Sequence, residues 1–403
     1  MEAKLITDIL TDANLGFPIV LMVVLIAIFM TLVAYSTFYE RKVAAWIQDR
    51  YGPNRAGPKG LLQPVADGIK FFIKEDFLPD HADKALFILA PALAFTIALL
   101  GIAIIPWGGT LEWFGSGPIP VQVASIDIGL VYLLAVGAMS VYGVALGAWA
   151  SNNKYSFYGG MRAVAQTLSY EVPLGLAILV AVLACGHLRL EDIVAAQVAT
   201  TWNVFFHPVA FLLMFVCALA ETNRLPFDLV ECEQELVGGF HTEYSSMKFA
   251  LFFLGEYGHM IVSSAFMVAL FFGGWQPVPW VDWLAQSNAW WAALLRMGVY
   301  LTKVVVFIFV FMWIRWTLPR FRFDQLLSLA WKALVPMGLA LVAWAGVLAW
   351  SGESGWMKFG PTSIWAPLGE LLLLWVGMVA VKVSSRLTGR QANMPLVTVA
   401  GQV

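Results

Sequence analysis

Residues 17–38 read FPIVLMVVLIAIFMTLVAYSTF, a run without one charged side chain. A helix that crosses the roughly 30 Å hydrocarbon core of a bilayer needs about 20 apolar residues, so this run predicts a transmembrane helix. Before it stand Glu2, Asp8 and Asp12 with Lys4 as the only cation, and no small-residue cleavage pattern follows it. A signal peptide has a basic start and such a cleavage pattern. We therefore expect a retained first membrane span.

Similar apolar segments occur along the rest of the chain. Of its 403 residues, 60% are hydrophobic and 12% are charged, against about 25% charged in soluble domains. Eight further apolar segments predict spans, near residues 86–106, 125–148, 166–186, 204–220, 246–274, 292–314, 333–350 and 365–383. We expect an all-α, polytopic membrane helix bundle of about nine transmembrane helices, a single integral membrane domain over residues 1–403. No length remains for a sizeable soluble domain.

The distribution of Lys and Arg predicts the orientation of these spans, because cytoplasmic loops carry an excess of both. Nineteen of the 24 cations fall on one side of the nine-span topology, and three fall on the other side. The cation-rich side includes the C-terminal tail. We therefore expect the N-terminus outside and the C-terminus in the cytoplasm.

The first cytoplasmic loop, residues 40–84, combines a turn region with an amphipathic segment. Its middle, RYGPNRAGPKG at 50–60, is rich in Gly, Pro and cations. Pro64 then suits the first turn of a helix, and apolar side chains follow at helical spacing, at Val65, Ile69, Phe72 and Ile73. This pattern predicts an amphipathic helix in the membrane interface. A basic surface loop without a site is the alternative interpretation.

Several ionisable residues fall inside the predicted spans or at their ends: Glu40, Arg41, Glu171, Glu221, Glu256, Arg296 and Lys303. A charge at the bilayer centre costs about 2.5–3.5 kcal/mol even on lenient scales, so such residues usually face a cavity or a partner. At span ends they can also extend to the interface. For Glu256 and Lys303 a buried structural pair or cap is the alternative.

Residues 221–245, ETNRLPFDLVECEQELVGGFHTEYS, hold five carboxylates within sixteen residues, at Asp228, Glu231, Glu233, Glu235 and Glu243. No Lys or Arg lies between Arg224 and Lys248. If the chain is helical after Pro226, three of these acids share one face and repel each other. Cations from the first loop, or protons held by raised pKa values, would offset this repulsion. Sheltered carboxylates of this kind suit a proton-handling site, and a solvated acidic loop is the alternative.

Four segments together resemble one family. They are ERKVAAWIQDRYGPNRAGPKGLLQPVADGIKFFIKED, GGMRAVAQTLSYEVPLG, LAETNRLPFDLVECEQELVGGFHTEYS and RWTLPRFRFDQLLSLAWKALVP. In this order they are similar to the H subunit of NADH:quinone oxidoreductase, respiratory complex I. The likeness runs over about residues 17–350, and an extra C-terminal span and tail occupy 351–403. Cys232 and Gln234 depart from the Ala and Ser expected between the glutamates.

The resemblance implies a subunit that forms much of the quinone tunnel and begins a charged axis towards antiporter-like subunits. It implies quinone-binding residues at Arg41, Arg50, Arg55, Asp67 and Phe253. It implies proton-coupling residues at Glu171, Glu221, Asp228, Glu231, Glu233, Glu235, Glu243 and Glu256. It implies supporting polar residues at Glu40, Arg224, Lys303, Arg315, Arg320 and Asp324.

The expected substrate is a quinone, either ubiquinone or menaquinone, and the expected partners are the peripheral-arm and antiporter-like subunits of complex I. The chain itself has three scattered cysteines and no GxGxxG fingerprint, whereas an iron–sulfur cluster usually takes four thiolates. NADH, flavin and iron–sulfur clusters are therefore expected on partner subunits, with no redox centre and no metal here. The extra span favours a bacterial plasma membrane over a mitochondrial inner membrane.

Three other functions fit parts of the sequence. An ion-coupled secondary transporter would also use intramembrane Glu and Lys, but it predicts inverted repeats and interrupted helices. A haem-bearing quinone reductase component would need paired histidines on facing spans. The anchor protein of a membrane-bound hydrogenase, or of another donor-linked complex, would share the architecture expected here.

Overall fold

The computed structural model describes residues 16–113, 117–230, 233–279, 288–354 and 363–392, with the backbone alone at 233–234, 352–354 and 380–392. The described chain is mainly helical and has one short two-stranded sheet, so the predicted all-α membrane bundle is confirmed. Its helices are α1 Gly16–Ile47, α2 Gln63–Ile73, α3 Lys84–Leu100, α4 Gly129–Ala150, α5 Lys154–Cys185, α6 Leu190–Ala199, α7 Asn203–Phe206, α8 Pro208–Glu221, α9 Glu233–Leu236, α10 Ser246–Phe271, α11 Trp290–Thr317, α12 Phe323–Leu329, α13 Val335–Ser354 and α14 Trp365–Ala392.

Seven helices of the described chain are long and apolar enough to cross a membrane. They correspond to α1, α3, α4, α5, α10, α11 and the continuous segment formed by α12, a π-helical turn and α13. Two predicted spans, the fifth and the ninth, fall on shorter apolar stretches, in α8 and in the first half of α14. The total of nine spans and their orientation stay predictions.

Helix α5 begins earlier than the sequence pattern indicates. The predicted span starts near residue 166, whereas the helix starts at Lys154. Asn153 caps it, since its side-chain oxygen accepts a hydrogen bond from the backbone N–H of Tyr155. Such a cap satisfies one of the N–H groups that have no partner within a helix. The N-terminal turns of α5 are thus helical, although their polar residues do not fit the apolar pattern that predicted the span.

The bundle packs around α10, which contacts α1, α3 and α11. Its C-terminal half is buried on all sides, from Met267 to Phe271. Helices α5 and α8 pack together beside it, and α4 packs between α3 and α5. Because a helix that is apolar all round is stable only when it is enclosed, this half of α10 forms the centre of the core.

The first loop has the turn region and the helix that were predicted. Gly60 has a φ of 86°, and a Cβ atom there would lie 2.2 Å from the carbonyl oxygen of Pro53, so only glycine fits. Helix α2 follows, and its apolar side chains stay exposed, to 75% for Phe72 and 80% for Ile73. That the helix lies in the interface stays a prediction.

Strands β1 Thr110–Glu112 and β2 Pro118–Pro120 form a two-stranded antiparallel sheet between two predicted spans, in a segment predicted as a loop.

The last helix, α14, is fixed by Glu370. The carboxylate of Glu370 is 2.7 Å from His207 Nδ1 and accepts hydrogen bonds from backbone N–H groups at the start of α8. Both side chains are buried. The extra C-terminal helix is therefore bonded to the core through polar groups.

Candidate functional site

The most densely charged interior region of the described chain is a group that we call the Glu40 cluster: Glu40, Arg224, Glu256, Tyr257 and Arg315. Arg224 Nη1 lies 2.9 Å from Glu40 Oε2, and Arg224 Nε lies 2.9 Å from Glu256 Oε1. The Tyr257 hydroxyl donates to Glu40 at 2.7 Å, and Arg315 also donates to Glu40. Glu40 is 6% exposed and Arg224 is 3% exposed. Two carboxylates and two guanidinium groups are thus held together, with Glu40 and Arg224 buried and Glu256 and Arg315 partly exposed.

Four segments bring this cluster together. Glu40 lies near the end of α1, Glu256 and Tyr257 lie in α10, and Arg315 lies in the last turn of α11. Arg224 comes from the loop after α8, and its guanidinium also stacks 4.2 Å from the centre of the Tyr257 ring. Because the cluster depends on four segments distant in sequence, any shift of α1, α10 or α11 would change its geometry.

The acidic segment itself does not form the expected helix. After Pro226 the chain makes tight turns, in which the Phe227 N–H donates to the Arg224 carbonyl at 2.8 Å. Phe227 and Leu229 are buried, so the loop follows the packing of its apolar side chains. The only helical turn between α8 and residue 238 in the described chain is α9. A helix directly after Pro226, the condition under which Asp228, Glu231 and Glu235 would share one face, is therefore absent from the described residues 227–230.

The acids of this segment find partners on other elements. Asp228 pairs with Arg320 at 3.1 Å, and Glu235 pairs with Arg162 of α5 at 2.5 Å. Glu243 accepts a hydrogen bond from the side chain of Asn153 at 2.6 Å. Glu231 lies outside the described residues, as does the side chain of Glu233. For Asp228 and Glu235 the compensating cations therefore come from α5 and from the segment after α11, whereas we expected them from the first loop.

Two cavities lie within the bundle, and the smaller one is lined by Glu256 of the Glu40 cluster. The smaller one, of about 50 Å³, is lined by Phe253, Glu256, His259 and Glu221, among others. The larger one, of about 360 Å³, is also lined by Glu221 and His259, and it reaches Glu171. Glu256, Glu221 and Glu171 thus occur in succession along two cavities that share lining residues.

A close helix approach makes room for Glu221. Gly137 of α4 faces it, and a Cβ atom at that position would lie 2.7 Å from Glu221 Oε1. Gln166 of α5 donates to the Ala220 carbonyl at 2.8 Å and to Asn223 at 3.1 Å. These contacts fix the end of α8, and with it the position of the carboxylate between the two cavities.

The residues expected at the quinone tunnel lie in two places. Arg41 Nη1 lies 2.7 Å from Asp67 Oδ2, and this ion pair links the end of α1 to α2. Arg50 donates to Gln48 at 2.7 Å, and Arg55 is exposed in the turn region. Phe253 lies deeper, in the wall of the smaller cavity. The first loop and the smaller cavity thus flank the Glu40 cluster, which lies at the end of α1.

Two of the expected supporting residues lie apart from the cluster. Lys303 donates to the backbone carbonyls of Phe272, Gly274 and Gln276 at 2.6, 3.0 and 2.5 Å, beyond the C-terminal end of α10. Lys303 lies thirteen residues after the start of α11 and twelve residues before Arg315. Twelve residues span about 18 Å along a helix. Asp324 is exposed at the start of α12. The structure brings Glu40, Arg224 and Arg315 together, whereas Arg320 pairs with Asp228.

Sequence reasoning missed three residues of the site. Tyr257 follows Glu256 directly, and a tyrosine beside an intramembrane acid could have signalled a hydrogen bond. Arg162 precedes the predicted fourth span and was counted only as a loop cation. His259, three residues after Glu256 in α10, was not among the expected site residues.

His241 lies in a 3-10 turn before α10, outside the spans, among the rings of Phe240, Phe249 and Phe253. Burial lowers the pKa of His241 to about 4, and the nearby charge of Asp228 opposes that shift in part. A neutral imidazole is therefore the form that the folded chain favours at neutral pH.

Comparison with known proteins agrees with this architecture. A family model described as NADH dehydrogenase matches residues 20–346. The first H subunit of NADH-quinone oxidoreductase from Cytophaga hutchinsonii is 49% identical over 320 residues, which are 79% of this chain and 93% of the relative. The corresponding H subunit of Flavobacterium psychrophilum is 48% identical over 336 residues, 82% of this chain and 97% of the relative.

A third relative, the first H subunit of Geobacter metallireducens, is 49% identical over 317 residues, 79% of this chain and 92% of its own length. The resemblance inferred from the four sequence segments is confirmed. All three relatives are named for NADH-quinone oxidoreductase, rather than for a hydrogenase or a transporter. The chain belongs to the family of NADH-quinone oxidoreductase H subunits, multi-pass membrane components of respiratory complex I.

Proposed function

We propose that the chain forms the quinone-binding tunnel of its complex and transmits quinone reduction to proton translocation through buried carboxylates. The observation that carries this proposal is the succession of Glu256, Glu221 and Glu171 along two adjoining cavities. The succession begins beside Arg224, which holds both Glu256 and Glu40. A change of charge at this cluster would therefore reach the carboxylates that line the two cavities in turn.

The proposed tunnel begins at the first loop. A quinone has a polar head and a long isoprenoid tail, so its entrance must open to lipid and end in a polar chamber. Helix α2 exposes its apolar side chains, and Arg41 and Asp67 join it to the end of α1. Phe253 and the Glu40 cluster lie further in. Apolar surface, then paired charges, then an aromatic wall match the chemistry of such a ligand.

Coupling follows from electrostatics. Reducing a quinone to its hydroquinone consumes two electrons and two protons, and any delay between them leaves negative charge on the head group. Carboxylates in a sheltered region feel such a charge more strongly than carboxylates in water do. A change in the protonation of Glu256 would alter the charge facing Glu221, and Glu221 faces Glu171 in turn. The antiporter-like subunits would receive this signal either as a transferred proton or as a change in the local electric field.

Electrons would arrive from NADH through flavin and iron–sulfur clusters on the peripheral-arm subunits, and the antiporter-like subunits would receive the coupling signal. The substrate would be ubiquinone or menaquinone. The expected location is a bacterial plasma membrane, in line with the bacterial sources of the similar proteins. In this arrangement the chain supplies the chamber and the carboxylates, and no redox centre.

Glu221→Gln in the assembled complex tests the proposal. The amide cannot be ionised, so quinone-linked NADH oxidation should fall by about tenfold or more, as is usual when a proton-transfer group is removed. Electron transfer from NADH to an artificial acceptor should continue, because it ends on other subunits.

Glu191→Gln serves as the matched control, since Glu191 lies in α6 and lines neither cavity. It should leave quinone-linked turnover within about twofold of the parent complex. Wild-type quinone reduction together with full proton pumping in the Glu221→Gln complex would remove the coupling role.

A further inference from the structure

One histidine lies where the two cavities meet. His259 lines both of them, together with Glu221. It follows Glu256 by three residues in α10, and residues so spaced are neighbours on a helix surface. Of the side chains that can hold a proton near neutral pH, the larger cavity is lined by Glu171, Glu221 and His259, and the smaller by Glu221, His241, Glu256 and His259.

The surroundings of His259 are otherwise apolar. The larger cavity is walled mainly by aliphatic side chains, among them Ile97, Leu133 and Val262. Nε2 of His259 is buried and has no hydrogen-bond partner among the described residues. An unsatisfied buried polar atom costs about 1–3 kcal/mol, whereas a leucine or phenylalanine would fill the same wall without that cost. Packing alone therefore does not account for a histidine at this position.

The larger cavity can also hold water. A water molecule needs at least about 10–15 Å³ of such space and two to four polar partners. The cavity offers about 360 Å³, with carboxylates, an imidazole and the hydroxyl of Ser263 in its wall. Carboxylates on both sides of one imidazole, with room for water in the larger cavity, are the arrangement that a proton relay needs.

We propose that His259 relays protons between the two cavities, and so connects Glu256 in the smaller cavity with Glu171 in the larger one. The inference rests on the proposed coupling function and adds a residue to it. Glu221, which also lines both cavities, is the second group at this junction.

The chemistry balances without any co-reactant. A neutral imidazole accepts a proton on its free ring nitrogen from a carboxylic acid or a water molecule in one cavity. The cationic ring then releases the proton of its other nitrogen to a carboxylate or a water molecule in the other cavity. One proton has crossed, one N–H bond has formed and another has broken, and the ring returns to its starting tautomer by rotation or by proton exchange.

His259→Ala in the assembled complex, with small molecules added back, tests this role. Quinone-linked turnover should fall by about tenfold, and added imidazole should restore it several-fold, since the removed ring leaves space beside the cavities. Thiophene, a five-membered ring of similar size that carries no proton at neutral pH, should restore nothing. Equal restoration by both rings, or unchanged turnover and pumping in the variant, would overturn the relay.

His259→Asn covers the case in which the alanine variant fails to assemble. Asparagine keeps a polar side chain but cannot take up a proton, so turnover should again fall by about tenfold, and its solvent deuterium isotope effect should exceed that of the parent complex. A parent-like isotope effect would count against the relay. Met260→Leu is the control for disturbance of α10, because it alters a buried neighbour of similar volume that lines neither cavity.

The Glu221→Gln result separates two failures. If Glu221→Gln impairs turnover while both His259 variants work normally, the carboxylates couple without the histidine and only the relay is wrong. If neither Glu221→Gln nor the His259 variants alter turnover or pumping, the coupling function fails and the relay fails with it.

Discussion

Two buried or half-buried cations of this bundle, Arg224 and Lys303, have opposite kinds of partner. Arg224 contacts the carboxylates of Glu40 and Glu256. Lys303 contacts three backbone carbonyls, and its ammonium also lies 4.3 Å from the centre of the Trp202 ring. Both residues are charges that a lipid-facing helix would exclude, yet they satisfy their charge in different ways.

The difference concerns what can change. A carboxylate can gain or lose a proton, so the charge around Arg224 can vary with a neighbouring reaction. A backbone carbonyl keeps its dipole at any pH, so the surroundings of Lys303 are constant. The partners of Arg224 can therefore change their charge with a nearby reaction, whereas the carbonyls that contact Lys303 cannot.

The largest effect is expected from Arg224→Met. It leaves Glu40 and Glu256 without their shared cation, and removing one partner of a buried ion pair costs about 3–5 kcal/mol. The variant complex should unfold at a clearly lower temperature, or fail to accumulate, as measured by the thermal midpoint and by the yield of assembled complex.

Adding Glu256→Gln to Arg224→Met provides the check, because it neutralises one of the two carboxylates that lose Arg224. The double variant should recover part of the lost stability, as expected when two residues in contact are changed together. Strictly additive losses would show that Arg224 and Glu256 do not interact as the structure indicates.

A smaller effect is expected from Lys303→Met. The three carbonyls of Phe272, Gly274 and Gln276 lose their donor, which costs about 1–3 kcal/mol. Quinone-linked turnover per assembled complex should change far less than in Glu221→Gln, since the hydrogen bonds of Lys303 go to backbone carbonyls, which do not titrate. A loss of turnover as large as in Glu221→Gln, in a complex of normal stability, would abolish the contrast between the two regions.

The same contrast explains what the sequence predicted. Hydropathy decides which segments become helices, because every backbone polar group in a bilayer must be satisfied within the segment. The spans and the amphipathic helix were therefore predictable from local sequence. Glu40 and Glu256 were recognisable as misplaced charges for the same reason, whereas Arg315 was expected only from the family resemblance.

Pairing between elements was not predictable, because it depends on helix positions that one sequence does not specify. Arg162 and Arg320, rather than cations of the first loop, compensate Glu235 and Asp228. The loop after Pro226 follows the burial of Phe227, which outweighs the helical spacing of its acids. Gly137, which admits Glu221, carries no signal of its role without the neighbouring helix.

The smallest effect concerns His241, which lies beside the acids but outside the spans. Its pKa in the folded chain is about 4 because the ring is buried, whereas an unfolded chain has a value of about 6.5. Between these values the unfolded state binds more protons, so folding stability is unaffected above pH 6.5 and declines as the pH falls towards 4. From pH 7.5 to 5.5 the loss in the free energy of unfolding should be about 1 kcal/mol.

His241→Gln should remove this part of the decline, so thermal midpoints of the complex at the two pH values should lie closer together than in the parent. If the difference between the two thermal midpoints were the same in His241→Gln as in the parent, the His241 ring would already be hydrated. The packing of Phe240, Phe249 and Phe253 around the ring would then not shield it or the nearby acids from water.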